Sequence, residues 1–235
     1  MSSVSRLQTL PVESDCPRPS VVQAAPDWQF ELSDPVAYRI GKRLFDLVFA
    51  LCGLVLLLPL LPFVIALIKL DSPGAVLFAQ RRVGRKGRLF TCYKFRSMVQ
   101  DAESMKATLA GLNEASGPAF KIRDDPRITR VGSFLRRSSL DEVPQLLCVL
   151  QGTMSVVGPR PQIPAEVELY APWHRRRLEI KPGITCLWQI AGRSHVGFDE
   201  WMRLDLEYLR RRGLMFDLWI VLHTLPAVIA RKGAY

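Results

Sequence analysis

The sequence predicts an α+β fold, predominantly helical, with an N-terminal membrane helix, a small β-hairpin, and amphipathic interfacial helices around a cytosolic core. Three observations predict it. Positions 47–68 contain no charged or strongly polar residue. A Gly-Arg-Lys-Gly turn at 84–87 joins two short runs of β-formers. Beyond the hairpin, apolar residues recur at helical spacing between glycine and proline breakers.

Residues 1–35 are rich in Ser, Pro and Gln and lack apolar periodicity, so they read as a flexible tail. No apolar core with a small-residue cleavage site follows the start, which excludes a secretory signal. Residues 36–71 hold the apolar run, which is long enough to cross a hydrocarbon core as a helix. Pro59 and Pro62 lie inside it, and each removes a backbone donor. Both flanks are basic: Lys42 and Arg43 before, Lys69, Arg81 and Arg82 after. The positive-inside rule wants one cytoplasmic flank, and here both qualify. A re-entrant helix, broken near Pro59 and returning to the face it entered, satisfies both facts. A kinked span and a buried core helix remain open.

Residues 72–235 form the remaining, cytosolic or interfacial domain. Strands are expected at 75–78 and 89–94, and a helix over 101–111. A loop with Gly-Pro and Asp-Pro breakers covers 113–126. A helix opens near Ser139 and runs to Leu150. Gly158-Pro159-Arg160-Pro161 is irregular. Amphipathic helices are expected over 164–180, with a basic side at His174 to Arg177, and over 199–212. The stretch 214–230 is apolar but holds Asp217, His223 and Pro226 between basic flanks. That pattern fits a helix lying in the membrane interface, with a core helix as the alternative.

The formal charge of +10, from 32 basic and 22 acidic residues, favours an anionic partner. The apolar run and the lack of aromatic–basic alternation argue against nucleic acid. Cys16, Cys52, Cys92, Cys148 and Cys186 are odd in number and scattered, so neither a zinc site nor a disulfide framework is indicated. They read as unpaired thiols in a reducing compartment. The histidines are scattered too.

The segment Arg136 to Gln145 carries the most information. Taken alone it is a helix start: Ser139 and Glu142 have capping-box spacing, and Pro144 is tolerated in a first turn. Its surroundings change that weight. Arg127, Arg130, Arg136 and Arg137 precede it, and Arg160 follows in a rigid Pro-Arg-Pro setting. Arginine offers a planar fork that matches phosphate oxygens, and a helix N-terminus adds free donors. Two carboxylates there, Asp141 and Glu142, can divide the labour: one holds a divalent metal, the other attacks phosphorus.

At this point the chain resembles the bacterial sugar transferase family, the monotopic polyprenyl-phosphate sugar-1-phosphate transferases. The resemblance covers roughly Arg39 to the C-terminus. It rests on KRLFD (42–46), the membrane prolines, SPG (72–74), YKFRSM (93–98), DDPRITRVGSFLRRSSLDEVPQL (124–146), SVVGPRP (155–161), KPGIT (181–185), WQIAGRS (188–194) and the terminal GAY. The resemblance implies transfer of hexose-1-phosphate from a UDP-hexose (galactose or glucose) to undecaprenyl phosphate, giving the lipid diphosphate sugar and UMP. This is the first membrane step of exopolysaccharide synthesis. It implies Asp141 as nucleophile, with an aspartyl sugar-phosphate intermediate, and Mg2+ held by Glu142 with Asp141. Lys94, Arg96, Arg136, Arg160 and Arg193 fall by motif position around the phosphates or the uridine. The implied setting is the cytoplasmic face of a bacterial inner membrane, with the phospholipid bilayer as partner and a homodimer as the assembly. The chain looks like the short form that lacks the extra N-terminal transmembrane domain of larger relatives. It departs from the family pattern at Leu58, Cys148, Thr153 and Cys186, where Ser, Asn, Asp and Gly are common. A non-catalytic, basic, membrane-anchored protein is the competing reading. It explains the charge and the apolar run but gives no role to Asp141, Glu142 or the Pro-Arg-Pro segment.

Overall fold

A computed structural model describes residues 30–114, 117–191 and 196–229. Helix α1 (Val36–Leu57) starts directly after Pro35 and ends at a 3-10 turn, Leu58–Leu60; helix α2 (Leu61–Asp71) continues from it. Pro59 and Pro62 each sit in the first turn of a new segment, where a missing N–H costs little. The break therefore forms with Leu58 ahead of Pro59. Together Val36–Asp71 make one unit of 36 residues, long and apolar enough to cross a membrane. Fully straight, it would extend about 54 Å.

One stripe of this unit faces the rest of the protein. Asp46, Ala50, Val64 and Ile68 are buried, whereas Leu44, Val48, Leu51, Val55, Leu56 and Phe63 are exposed. Both ends are tied down. At the start, Arg43 donates to the carbonyls of Val149 and Leu150 at 2.6 and 2.7 Å. These are the last carbonyls of helix α4 (Gln145–Gln151), where a cation is favoured. At the far end Arg96 donates to the carbonyls of Ile68 and Ser72, and Asp71 accepts from the Val131 amide at 3.1 Å.

The KRLFD motif forms a buried polar lock. Lys42 lies 3.3 Å from Asp46 and 2.8 Å from Asp217. Asp46 accepts from the Ser155 hydroxyl and the Val156 amide, and Asp217 accepts from the Tyr208 hydroxyl at 2.7 Å. These bonds join α1 to the short parallel pair β3 (Ser155–Val157) and β4 (Gly183–Thr185), which leads into the single turn α6 (Leu187–Ile190), and also to α7 (Phe198–Arg211) and α8 (Leu214–Ile229).

The hairpin is the antiparallel pair β1 (Leu77–Val83) and β2 (Leu89–Phe95). Its tip needs positive φ at Lys86 and Gly87. The chain then forms helix α3 (Arg130–Arg137), capped by the Thr129 side chain, which accepts from the Gly132 amide at 3.0 Å. Gly132 lies against the Ser97 backbone so closely that a Cβ there would collide with the Ser97 carbonyl.

Several expectations need correcting. The stretch 101–111 forms 3-10 turns, Ser104–Lys106 and Ala110–Leu112, not an α-helix. The helix expected over 164–180 is cut at Pro172: α5 (Pro164–Glu168) is followed by a 3-10 segment, His174–Glu179. Helix α4 starts at Gln145 rather than Ser139. In α8, Asp217 and Ile220 are buried against the core while Met215 and Leu222 are exposed, so one face of this helix is core. The end of the expected tail is tied to the body: Phe30 accepts from Arg176, and Asp34 pairs with Arg212 at 2.6 Å. Residues 1–29 of that tail lie outside the described residues.

Replacing Asp46 by Ala should cost about 3 kcal/mol, because it strands the Ser155 and Val156 donors in a buried site. Thermal denaturation of the detergent-solubilised protein checks this; an unchanged Tm refutes the lock.

Candidate active site

Asp141 and Glu142 lie on a single 3-10 turn, Leu140–Glu142, between α3 and α4. Ser139 enters it at φ +57° and makes no side-chain cap bond. The capping box expected for Ser139 and Glu142 is therefore not formed. The reason is energetic. A cap contributes about 1 kcal/mol, whereas each hydrogen bond to a charged group contributes about 1.5–3 kcal/mol. Glu142 makes the latter kind. Lys94 donates to its Oε1 at 2.7 Å, and Arg160 donates to the same oxygen at 2.6 Å and to Oε2 at 3.4 Å. The left-handed turn at Ser139 costs about 1–2 kcal/mol and is the price of that geometry.

The two acids differ sharply. Burial pushes the Glu142 carboxyl up, but the charges of Arg160 and Lys94 outweigh it and hold the group well below the usual carboxylate range. Glu142 in turn raises Arg160 above the ordinary guanidinium value. Asp141 is 6% exposed, and its nearest cation is Lys94 at 3.8 Å. Among the described residues no hydrogen bond reaches its carboxylate. Burial raises it, Lys94 opposes, and the neighbouring Glu142 charge raises it further.

Of the residues expected around the phosphates, Lys94, Arg136 and Arg160 gather here. Lys94 comes from β2. Arg160 comes from the Pro-Arg-Pro segment after β3. Arg136 comes from the last turn of α3, its Nε donating to Ser97 Oγ at 2.9 Å. Asp141 and Arg136 attract one another, although burial lowers Arg136 overall. Arg96 is not brought in: its Nη2 donates to the carbonyls of Ile68 and Ser72 at the end of α2, while its Nε and Nη1 are buried with no partner among the described residues. Arg193 lies outside the described residues.

Other residues hold this arrangement and were not singled out from sequence. Arg177 donates to the Arg160 carbonyl at 2.7 Å and pairs with fully buried Asp205 at 2.6 Å and with the Tyr170 hydroxyl at 2.7 Å. Burial pushes Asp205 up to about 6, with Arg177 opposing. The one available signal was an acid on the apolar stripe of α7, beside Met202, Leu206 and Leu209. Arg82, on β1, donates to the Pro161 carbonyl at 3.0 Å.

The donor set suits magnesium, which takes one or two carboxylates and completes its shell with phosphate oxygens. Asp141 and Glu142 are adjacent hard-oxygen donors, and Asp141 is uncommitted. Among the described residues no group of three or more His, Cys, Asp or Glu side chains could hold an ion alone.

The described residues thus combine a pair of acids set among phosphate-matching cations with a helix long and apolar enough to cross a membrane. The sequence pattern described as bacterial sugar transferase matches residues 37–231. The chain is 45% identical over 199 residues to galactosyl transferase CpsE of Streptococcus agalactiae, covering 84% of this chain and 44% of that protein. It is 40% identical over 200 residues to exopolysaccharide production protein ExoY of Sinorhizobium fredii, covering 83% and 88%. It is 40% identical over 205 residues to UDP-glucose:undecaprenyl-phosphate glucose-1-phosphate transferase of Escherichia coli, covering 84% and 42%. The chain thus spans less than half of CpsE and of the Escherichia coli enzyme, and most of ExoY. It belongs to the bacterial sugar transferase family.

Replacing Ser139 by Gly should raise stability by about 1 kcal/mol, since glycine adopts the left-handed turn without strain. A Tm below wild type would restore the capping role.

Proposed function

We propose that the chain transfers hexose-1-phosphate from a UDP-hexose to undecaprenyl phosphate, releasing UMP and opening exopolysaccharide synthesis. The observation that carries the reading is the inequality of the two acids. Glu142 is bonded to both Lys94 and Arg160 through Oε1, whereas Asp141 lies buried with Lys94 at 3.8 Å and, among the described residues, no hydrogen bond to its carboxylate. The names of the relatives support both substrates.

In the first step an Asp141 oxygen attacks the sugar-bearing phosphorus. The bond from that phosphorus to the bridging oxygen breaks, and UMP leaves with the electron pair. In the second step a phosphate oxygen of undecaprenyl phosphate attacks the same phosphorus, and the Asp141 carboxylate departs. An acyl phosphate retains the energy of the cleaved diphosphate, and one site serves a soluble donor and an apolar acceptor in turn. Lys94, Arg136 and Arg160 neutralise charge as it shifts between oxygens, and their fixed positions spare reorganisation during reaction. A magnesium ion held by Asp141 and Glu142 would add charge neutralisation on the diphosphate.

The membrane helix is read as re-entrant. That both of its ends bond to the same body, through Arg43 at one and Arg96 and Asp71 at the other, supports this reading. Its outward apolar face supplies the lipid contact. The setting is the cytoplasmic face of the inner membrane, where UDP-sugars occur. Residues 36–71 are the membrane unit and 72–235 the catalytic domain; a homodimer is compatible with this layout.

Replacing Asp141 by Asn should abolish labelled lipid formation from radiolabelled UDP-hexose and undecaprenyl phosphate while leaving Tm near wild type; retained turnover removes the covalent mechanism. Cysteines placed at Arg39 and Ala75, both exposed, should resist an impermeant thiol reagent added outside intact cells and react after lysis. Labelling of one alone means a true span.

A further inference from the structure

Lys181 stands just ahead of β4, in the KPGIT motif. It is half-buried, and among the described residues its ammonium makes no hydrogen bond and no ion pair. A side-chain carbon at Gly152, the residue that ends α4, would meet the Lys181 Nζ at 3.6 Å and the Arg43 guanidinium at 3.7 Å, and nothing lies nearer. Two cations therefore flank one open spot. Burial pushes the Lys181 ammonium down, the charges of Arg43, Arg85 and Lys42 add to this, and Asp46 opposes. The negative charge at hand is already engaged. Arg43 takes the last carbonyls of α4, and Asp46 holds Lys42, the Ser155 hydroxyl and the Val156 amide. Thr153, which follows Gly152, is uncharged and donates its hydroxyl back to the Cys148 carbonyl at 3.1 Å. Cations crowded and partly desolvated in this way favour an added anion.

The same arginine borders an apolar surface. Arg39 and Arg43 lie one turn apart on α1 and line a recess of about 440 Å³ with Val36, Ile40, Leu44 and Leu47. Arg39 is exposed and pairs with no acid among the described residues. Val36, Ile40 and Leu44 are exposed, and at spacings of three and four residues the stripe continues through Leu47 to exposed Leu51 and Val55. From Leu44 to Val55 it runs about 16 Å along the axis. The hydrocarbon core is about 30 Å thick, so the stripe matches the depth of one leaflet.

The two halves ask for different chemistry, and one molecule supplies both. A free phosphate matches the cations but leaves the stripe bare. An uncharged acyl chain covers the stripe but leaves the cations unmatched. An anionic phospholipid carries its charge where its tails begin, as this surface does. We propose that the cleft between the start of α1 and the end of α4 binds one anionic glycerophospholipid, with its phosphate at Lys181 and Arg43, Arg39 one turn away, and an acyl chain along Ile40, Leu44 and Leu47. The site is apart from the reacting acids. Asp141 precedes α4 and Gly152 follows it, so a helix about 10 Å long separates the two. The acceptor has to reach Asp141, so it is not this ligand. The inference needs the membrane helix but not the reaction proposed above.

The test uses the full chain in neutral detergent, titrated with phosphatidylglycerol, phosphatidylcholine, undecaprenyl phosphate or inorganic phosphate in separate arms. Native mass spectrometry should show one phosphatidylglycerol retained, roughly tenfold more tightly than phosphatidylcholine, with the preference falling as salt is raised. Lys181→Gln should lose most of that preference, and Lys181→Arg should keep it. Equal retention of the two phospholipids by wild type overturns the proposal, as does an unchanged preference in Lys181→Gln. Displacement of phosphatidylglycerol by equimolar undecaprenyl phosphate overturns it by assigning the site to the acceptor. Displacement by equimolar inorganic phosphate overturns it by removing the acyl contribution. If Lys181→Gln loses its cooperative melting transition, the exposed Arg39→Gln decides, and an undiminished preference in it overturns the proposal. Absence of labelled lipid from the wild-type protein in the transfer assay would instead sink the proposed reaction, and the phospholipid titration would still judge this site.

Discussion

The structure turns on one carboxylate. Glu142 receives Lys94 from the hairpin and Arg160 from the Pro-Arg-Pro segment, so strand β2, the loop after β3 and the turn between α3 and α4 meet at its two oxygens. Buried ion pairs of this kind add little net stability, because desolvation consumes most of the Coulombic gain. What this one contributes is position. It offsets the negative charge of one acid, places two cations beside the other, and leaves Asp141 buried next to them with no hydrogen bond to its carboxylate among the described residues.

That arrangement holds because its supports are rigid. The Arg160 carbonyl is gripped by Arg177, which is fixed by Asp205 and Tyr170, and the next carbonyl, of Pro161, is gripped by Arg82. On the membrane side, Arg136 is oriented by Ser97, next to the point where Arg96 closes the end of α2. The KRLFD lock performs the equivalent service at the start of α1. The apolar helix is thus fastened at both ends by charged side chains, Arg43 at its start and Arg96 and Asp71 at its end.

Much of this was legible in the sequence. The hairpin followed from its turn, α7 from its periodicity, and the convergence of Lys94, Arg136 and Arg160 on the acid pair from motif position. The misses have physical causes. At 101–111 helical spacing was present, but the segment packs only as short 3-10 turns. At Ser139 a correct local preference for a cap lost to two charged contacts made to Glu142 by residues 48 and 18 positions from it, which no local pattern displays. Arg177 and Asp205 were hidden because a basic run reads as a solvated face unless its buried partner on another helix is known. Arg96 follows Lys94 by two residues in one motif, but β2 ends at Phe95, so the strand alternation that would put both side chains on one face no longer governs Arg96.

Gly132 has a mechanical consequence. Helix α3 rests on the Ser97 main chain with no side chain between them, and the same helix donates through its Val131 amide to Asp71 at the end of the apolar unit. A displacement of α2 would therefore reach the guanidinium of Arg136 through a main-chain contact and one carboxylate, with few rotatable bonds to absorb it. The spacing of charges around Asp141 is in this way tied to the placement of the apolar unit.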